Sequence, residues 1–214
     1  MKEEKGCLLF SLIDAVDYTV ENAASTAKAA EQAGADVILV GGSIGSQGML
    51  LDERVKAVKE AVSKPVVLFP GNIGTLTHYA DALYFLYMIN STNSYWLSGA
   101  QIQAAPVVKA SGVEAIPTAY IVVEPGQTVG WIGEARLVPR DKPKLAVACA
   151  LAGEMMGAHF VLTDAGSGAP QPVPAEHIKA VKSALNPDTF YIVGGGLCTP
   201  ELARKACASG ADAI

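Results

Sequence analysis

Three stretches of this chain repeat one junction. EQAGADVILV, EMMGAHFVLT and ACASGADAI each close a segment of helical period on a glycine and enter a strand-like run within two residues. A helix C-terminus often needs a left-handed residue, which glycine adopts without strain, so the motif marks passage from helix to strand. Apolar runs of four to eight residues also alternate with longer stretches of 3.6-residue period, the pattern of βα units on a parallel sheet buried on both faces. Strands are predicted at 8–13, 37–40, 66–69, 82–87, 119–123, 160–162 and 189–193, with an eighth beginning at 212–214. Helices are predicted near 19–33, 52–63, 94–111, 143–157, 174–185 and 200–209. The periodic punctuation favours an α/β fold of the (β/α)8 TIM-barrel type over an open doubly wound sheet. No Pro/Gly-rich linker breaks the composition, so residues 1–214 read as a single barrel domain. PGNIGTLTHYADA, between the third and fourth strands, leaves room for barely two helical turns, and 124–142 reads as a long, functional loop.

Composition excludes several classes. Half of the residues are hydrophobic and 17% charged, too apolar for a disordered chain. Sixteen basic and 21 acidic side chains give a net charge of −5 with no basic run, which argues against nucleic acid; an anionic substrate must be held by a few placed groups. The apolar stretch from Cys7 to Ile13 is too short to span a bilayer, and no cleavage pattern of a signal peptide follows it. Cys7, Cys149, Cys198 and Cys207 lack CxxC or Cys/His metal spacing, so reduced, core-type thiols in a cytoplasmic protein are expected. A barrel of this type usually needs about 250 residues, so a chain of 214 ending in GADAI is expected to have an incomplete C-terminal strand and helix.

Barrel active sites form at the C-terminal ends of strands. Those positions hold Asp14; Gly41, Gly42 and Ser43; Pro70, Gly71 and Asn72; Glu124, Pro125 and Gly126; Asp164 with Ala165, Gly166, Ser167, Gly168 and Ala169; and Gly194, Gly195 and Gly196. Glycine loops let backbone N–H groups close on a phosphate, and AGSGA and GGG on adjacent strands make a phosphate cup built of neutral donors. Asp14 and Ser43 offer hard oxygen ligands for Mg²⁺, which commonly bridges to substrate phosphates. His78, His159 and His177 have no catalytic or metal-pair spacing and read as structural or surface residues. Met155, Met156, Tyr84, Phe85 and Tyr87 read as core filling. Arg140, in PRDK, reads equally as a diphosphate contact and as a solvated loop charge.

The ordered set LIDAVD, GADVILVGGS, VVLFPGN, ADALYFLYMINS, IPTAYIVVEPGQTVG, LVPRDKP, DAGSGAPQPV and VGGGL resembles the geranylgeranylglyceryl phosphate synthase family, relatives of the bacterial heptaprenylglyceryl phosphate synthases. PGQTVG and PRDKP bring the archaeal branch nearest. The resemblance implies a Mg²⁺-dependent prenyltransferase that alkylates the 3-hydroxyl of sn-glycerol 1-phosphate with geranylgeranyl diphosphate, releasing diphosphate in the first ether-forming step of archaeal membrane lipid synthesis. It places Asp14 and Ser43 at the Mg²⁺ positions. Leu162, Thr163, Asp164, Ala165, Gly166, Ser167 and Gly168, with Gly194 and Gly195, fall at the glycerol phosphate positions, and Asp164 is the catalytic acid-base group. It further implies a homo-oligomer without a transmembrane segment that touches a membrane surface transiently for product release, and a Gly-Asn-like phosphate contact after an eighth strand. One departure stands out: Leu162-Thr163-Asp164 replaces the family's Tyr-Leu-Glu, which predicts weaker glycerol phosphate binding. Two rival readings remain, another phosphate-binding TIM-barrel enzyme and a non-catalytic barrel that binds a phosphometabolite.

Overall fold

A computed structural model describes residues 6–214; the first five, part of the stretch read above for a leader, lie outside the described residues. Seven strands are interleaved with helices, except that β4 follows β3 directly: β1 Phe10–Asp14, α1 Val20–Gln32, β2 Val37–Gly42, α2 Gly48–Ala61, β3 Val66–Pro70, β4 Ala82–Met88, α3 Ala100–Ser111, β5 Glu114–Val122, α4 Gln127–Ile132, α5 Pro143–Met155, β6 Phe160–Asp164, α6 Ala175–Ala184, β7 Phe190–Gly194 and α7 Pro200–Ala208. Strand order follows the sequence, and the defined registers are parallel, as a βα repeat requires. The fold is α/β, of the (β/α)8 TIM-barrel-like class.

The chain divides into two compact units. One comprises Leu9–Phe85 and Ala100–Ile116. Its core joins Ile13, Ile38, Val40 and Leu68 of the strands to Ala23 and Ala27 of α1 and Leu51, Val55 and Val58 of α2. Thr19 caps α1 by accepting from Asn22 N at 3.2 Å. The other unit comprises the segment ending at Leu8, Leu86–Gly99 and Pro117–Ile214. Its core packs Ile121, Val161, Tyr191 and Val193 against Ala146 and Ala150 of α5 and Ile178 and Val181 of α6.

The three repeated junctions share one geometry. Gly34, Gly157 and Gly210 have φ of 103°, 93° and 112°. The next residue's N–H reaches back five positions: Ala35 to Ala30 O at 2.9 Å, Ala158 to Gly153 O at 3.1 Å, Ala211 to Ala206 O at 3.3 Å. This is the bond that closes a Schellman motif. An aspartate follows two of these glycines and precedes β4 as well, each bonded to a backbone N–H in or directly before the preceding strand: Asp36 Oδ2 accepts from Leu9 N at 3.0 Å, Asp81 Oδ2 from Val66 N at 2.8 Å, and Asp212 Oδ2 from Tyr191 N at 2.8 Å. At the eighth-strand position Ala213 bridges in parallel to both Ile192 and Leu8.

Four expectations change. The cysteines are not four core thiols: Cys7 and Cys207 form a disulfide with Cα atoms 5.8 Å apart, while Cys149 is half-buried and Cys198 exposed. The Leu8–Ala213 bridge brings the two ends together, which spacing along the sequence cannot reveal. Met155 and Met156 do not fill the core; they end α5 on its solvent side, at 83% and 64% exposure. Within 124–142 lies the six-residue helix α4, hidden in the sequence by its glycines. β5 begins at Glu114, earlier than its apolar run, because its first half, Glu114 to Pro117, is exposed or half-buried and carries a proline, so it lacks the buried apolar signature of the rest.

Candidate functional site

Asp164 ends β6, in register with Val122 on one side and Gly194 on the other. It is 7% exposed, and both carboxylate oxygens are engaged: Oδ2 accepts from Tyr120 Oη at 2.7 Å and Oδ1 from Gly166 N at 2.6 Å. Burial pushes the carboxyl above its ordinary pKa, against the opposing pull of the two donors. Tyr120 is itself buried, and burial with the adjacent carboxylate raises its phenol pKa well above the usual value.

The two glycine loops meet at this acid. A side chain on Gly195, φ 77°, would strike Asp164 Oδ1 and stand 2.7 Å from Gly166 N, so the loops approach as closely as backbone allows. Ala165 N donates to Gly194 O at 3.2 Å, joining them directly. The Gly166 N–H is turned inward to Asp164, while Ser167 and Gly168 are exposed and Gly194 and Gly195 half-buried. Strand alternation puts Leu162 and Asp164 on one side of β6 and Thr163 on the other. Thr163 is fully buried in the outer core, its hydroxyl 2.8 Å from Tyr191 Oη, so its side chain is turned away from Asp164.

In the other unit Asp14 ends β1 opposite Gly41. Its Oδ1 accepts from Val16 N at 3.0 Å and from Ser46 Oγ at 3.4 Å; Ser46, fully buried, also donates to Gly41 O at 2.8 Å. A side chain on Gly42 would collide with Ser46 Oγ and reach 2.5 Å from Asp14 Oδ1. Ser43 lies half-buried in the bend directly after β2. A half-buried carboxylate beside a strand-end hydroxyl is an all-oxygen donor set, and such a set with water and substrate phosphate suits Mg²⁺. No cluster of three or more His, Cys, Asp or Glu side chains that could hold a metal ion occurs among the described residues.

Sequence reasoning missed Tyr120 and Ser46. Tyr120 sits in an apolar run, and only the pairing of Tyr120 with Leu162 across β5 and β6 reveals a phenol beside the position where the family's tyrosine is absent. His78 and His159 are exposed, and His177 is buried with Nε2 donating to Arg140 O at 2.9 Å, a structural role. The guanidinium of Arg140 is a free loop charge no more than it is an open anion contact: it donates to Glu124 O at 3.1 Å and Pro172 O at 2.9 Å.

Residues 3–214 match the model of the PcrB family. The chain belongs to that family. Among relatives of this PcrB-family chain, geranylgeranylglyceryl phosphate synthase of Pyrococcus horikoshii is 51% identical over 213 residues, covering 100% of this chain and 83% of the relative. The crystal structure of (S)-3-O-geranylgeranylglyceryl phosphate synthase from Thermoplasma acidophilum, in complex with substrate sn-glycerol-1-phosphate, superimposes with a TM-score of 0.95 at 38% identity, covering 100% of this chain and 85% of that one. Wild-type GGGPS from Thermoplasma volcanium gives a TM-score of 0.94 at 39% identity, covering 97% and 83%. The family resemblance read from the ordered motifs thus extends along the PcrB-family chain.

Proposed function

We propose that this PcrB-family protein is a prenyltransferase that joins the 3-hydroxyl of sn-glycerol 1-phosphate to a geranylgeranyl group, releasing diphosphate. The observation that carries the reading is Asp164, wired to Tyr120 and to the first glycine of AGSGA, in a fold that matches an enzyme solved with sn-glycerol-1-phosphate. Ser167, Gly168 and Gly195 supply the backbone amides for the phosphate, and the phosphate in turn sets the 3-hydroxyl against Asp164. As the allylic C–O bond breaks, the hydroxyl oxygen forms the new ether bond and its proton passes to Asp164, which must be ionised to accept it. Tyr120 and Gly166 hold the carboxylate in that state and orientation against the cost of burial. Leu162 leaves the phenol role to Tyr120, which comes from the neighbouring strand.

Asp14 and Ser43 would hold Mg²⁺. When bound, the ion supplies Lewis-acid stabilisation of the departing diphosphate. Ser46 and Val16 N orient the Asp14 carboxylate for it. The same reading makes the protein a cytoplasmic homo-oligomer that meets a membrane surface only to release product; no helix among the described residues is long and apolar enough to cross a membrane.

The test is incubation with Mg²⁺, labelled sn-glycerol 1-phosphate and a series of prenyl diphosphates, followed by extraction into organic solvent. Label in the organic phase, greatest with the 20-carbon donor, is expected. No organic-phase label with any donor overturns the reading, and glycerol phosphate binding without transfer would mark a phosphometabolite-binding barrel instead.

A further inference from the structure

Arg140 is not among the glycerol phosphate or metal positions assigned above, yet four hydrogen-bonding groups converge on it. Its backbone N–H donates to Glu124 Oε2 at 3.2 Å, and its carbonyl accepts from the buried His177 Nε2 at 2.9 Å. Its guanidinium spans two loops, Nη1 donating to Glu124 O at 3.1 Å and Nη2 to Pro172 O at 2.9 Å. Glu124 follows β5, and Pro172 ends the glycine-bearing loop after β6. The start of that loop is tied to the same segment by Gly126 N donating to Ala165 O at 3.0 Å, and its middle by Gln127 Nε2 donating to Gly168 O at 3.2 Å. The arginine holds the far end through Pro172 O. That end also packs on the second glycine loop, since a side chain on Gly196 would stand 2.8 Å from Pro172 N.

We propose that Arg140 is a positioning residue: by clamping the Glu124 and Pro172 carbonyls it fixes the path of residues 165–172, and with it the amides that receive the phosphate of the acceptor substrate. The inference rests on the glycerol phosphate reading of that loop. A planar fork with diverging donors bridges two carbonyls in a fixed geometry that a lysine ammonium on a flexible stem does not impose. Both terminal nitrogens donate to backbone carbonyls, which ties the residue to the two loops. Arg140 also lines a hollow of about 470 Å³ with Glu124, Pro125, Leu137, Pro170 and Gln171, which gives an added guanidinium ion access to the place its side chain would vacate.

The test uses Arg140→Ala and Arg140→Lys with two readouts. Hydrogen exchange is expected to accelerate at the amides of Gly166, Ser167, Gly168, Ala169 and Gln171 in Arg140→Ala, while amides within β6 and β7 keep wild-type rates. In steady-state kinetics the KM for sn-glycerol 1-phosphate is expected to rise about tenfold or more, within the roughly 10²-fold that a 1 Å misplacement can cost. The kcat and the KM for the prenyl diphosphate should stay near wild type. Guanidinium below denaturing concentration should restore the acceptor KM in Arg140→Ala, and Arg140→Lys, which keeps stem and charge, should show the same KM split if the fork is what matters. A rise confined to the prenyl diphosphate KM overturns the proposal and makes Arg140 a diphosphate contact. Unchanged loop exchange overturns it in either variant. If the wild-type protein transfers no prenyl group, the enzymatic reading falls, and the exchange comparison, repeated with inorganic phosphate as ligand, still decides the role of Arg140.

Discussion

At the N-terminal ends of the strands, Asp36, Asp81 and Asp212 each give an oxygen to a backbone N–H in or directly before the preceding strand, and two of them also pair with a lysine: Asp81 with Lys59 and Asp212 with Lys182, both at 2.7 Å. At the C-terminal ends, Asp14 and Asp164 bind hydroxyls and amides, and neither has a lysine or arginine partner among the ion pairs of the described residues. In the first group Asp81 and Asp212 are paired with cations where they add to stability. The second group is held by hydroxyl and amide donors instead. Buried charge without a cation is costly, which is the usual signature of a residue retained for chemistry and not for folding.

The comparison breaks most sharply at Asp164. Asp164→Asn is expected to lower turnover by about 10²–10⁴-fold, the range for loss of a general base. The same variant should melt above wild type at neutral pH. Burial raises the folded-state pKa of Asp164, so its contribution to stability is present below the unfolded carboxyl range and is lost as pH rises through the folded value. The advantage of the asparagine should therefore shrink as pH falls, and melting curves across pH check the sign. Asp212→Ala should do the reverse. It strands a half-buried Lys182 and the Tyr191 amide, for a loss of about 3–5 kcal/mol in urea unfolding. Tyr120→Phe removes a donor that lowers the Asp164 pKa; the acid limb of the pH–rate profile is expected to move to higher pH, with kcat on the plateau less affected. Asp81→Ala, at an exposed pair, should cost only about 1 kcal/mol. A loss for Asp81→Ala as large as that for Asp212→Ala would show that the amide bond, not the burial of the pair, carries these contacts.

What the sequence disclosed follows the reach of each signal. The Gly-Ala junctions were legible because a helix end is decided within six residues, and all three adopt the same bond. Asp164 and its glycines were legible for the same local reason, at the end of an apolar run. Tyr120 was not, because its role exists only through the register of β5 on β6. Arg140 admitted two readings, both centred on its charge, because the carbonyls it clamps leave no trace in residue type. The glycerol phosphate positions include Thr163 by motif, yet strand alternation turns its hydroxyl into the core beside Tyr191. The methionines of α5 failed for a simpler reason: hydrophobicity alone does not say which face of a helix meets solvent.

The bond between Cys7 and Cys207 changes the molecule's connectivity as well as its stability. It converts residues 7–207 into a covalent circle, and closing a loop of that length restricts the unfolded chain by an amount on the order of 5 kcal/mol in the loop-entropy model. A single proteolytic cut anywhere in the circle then opens it without dividing it. One band persists on a non-reducing gel and separates into two only when the thiols are restored.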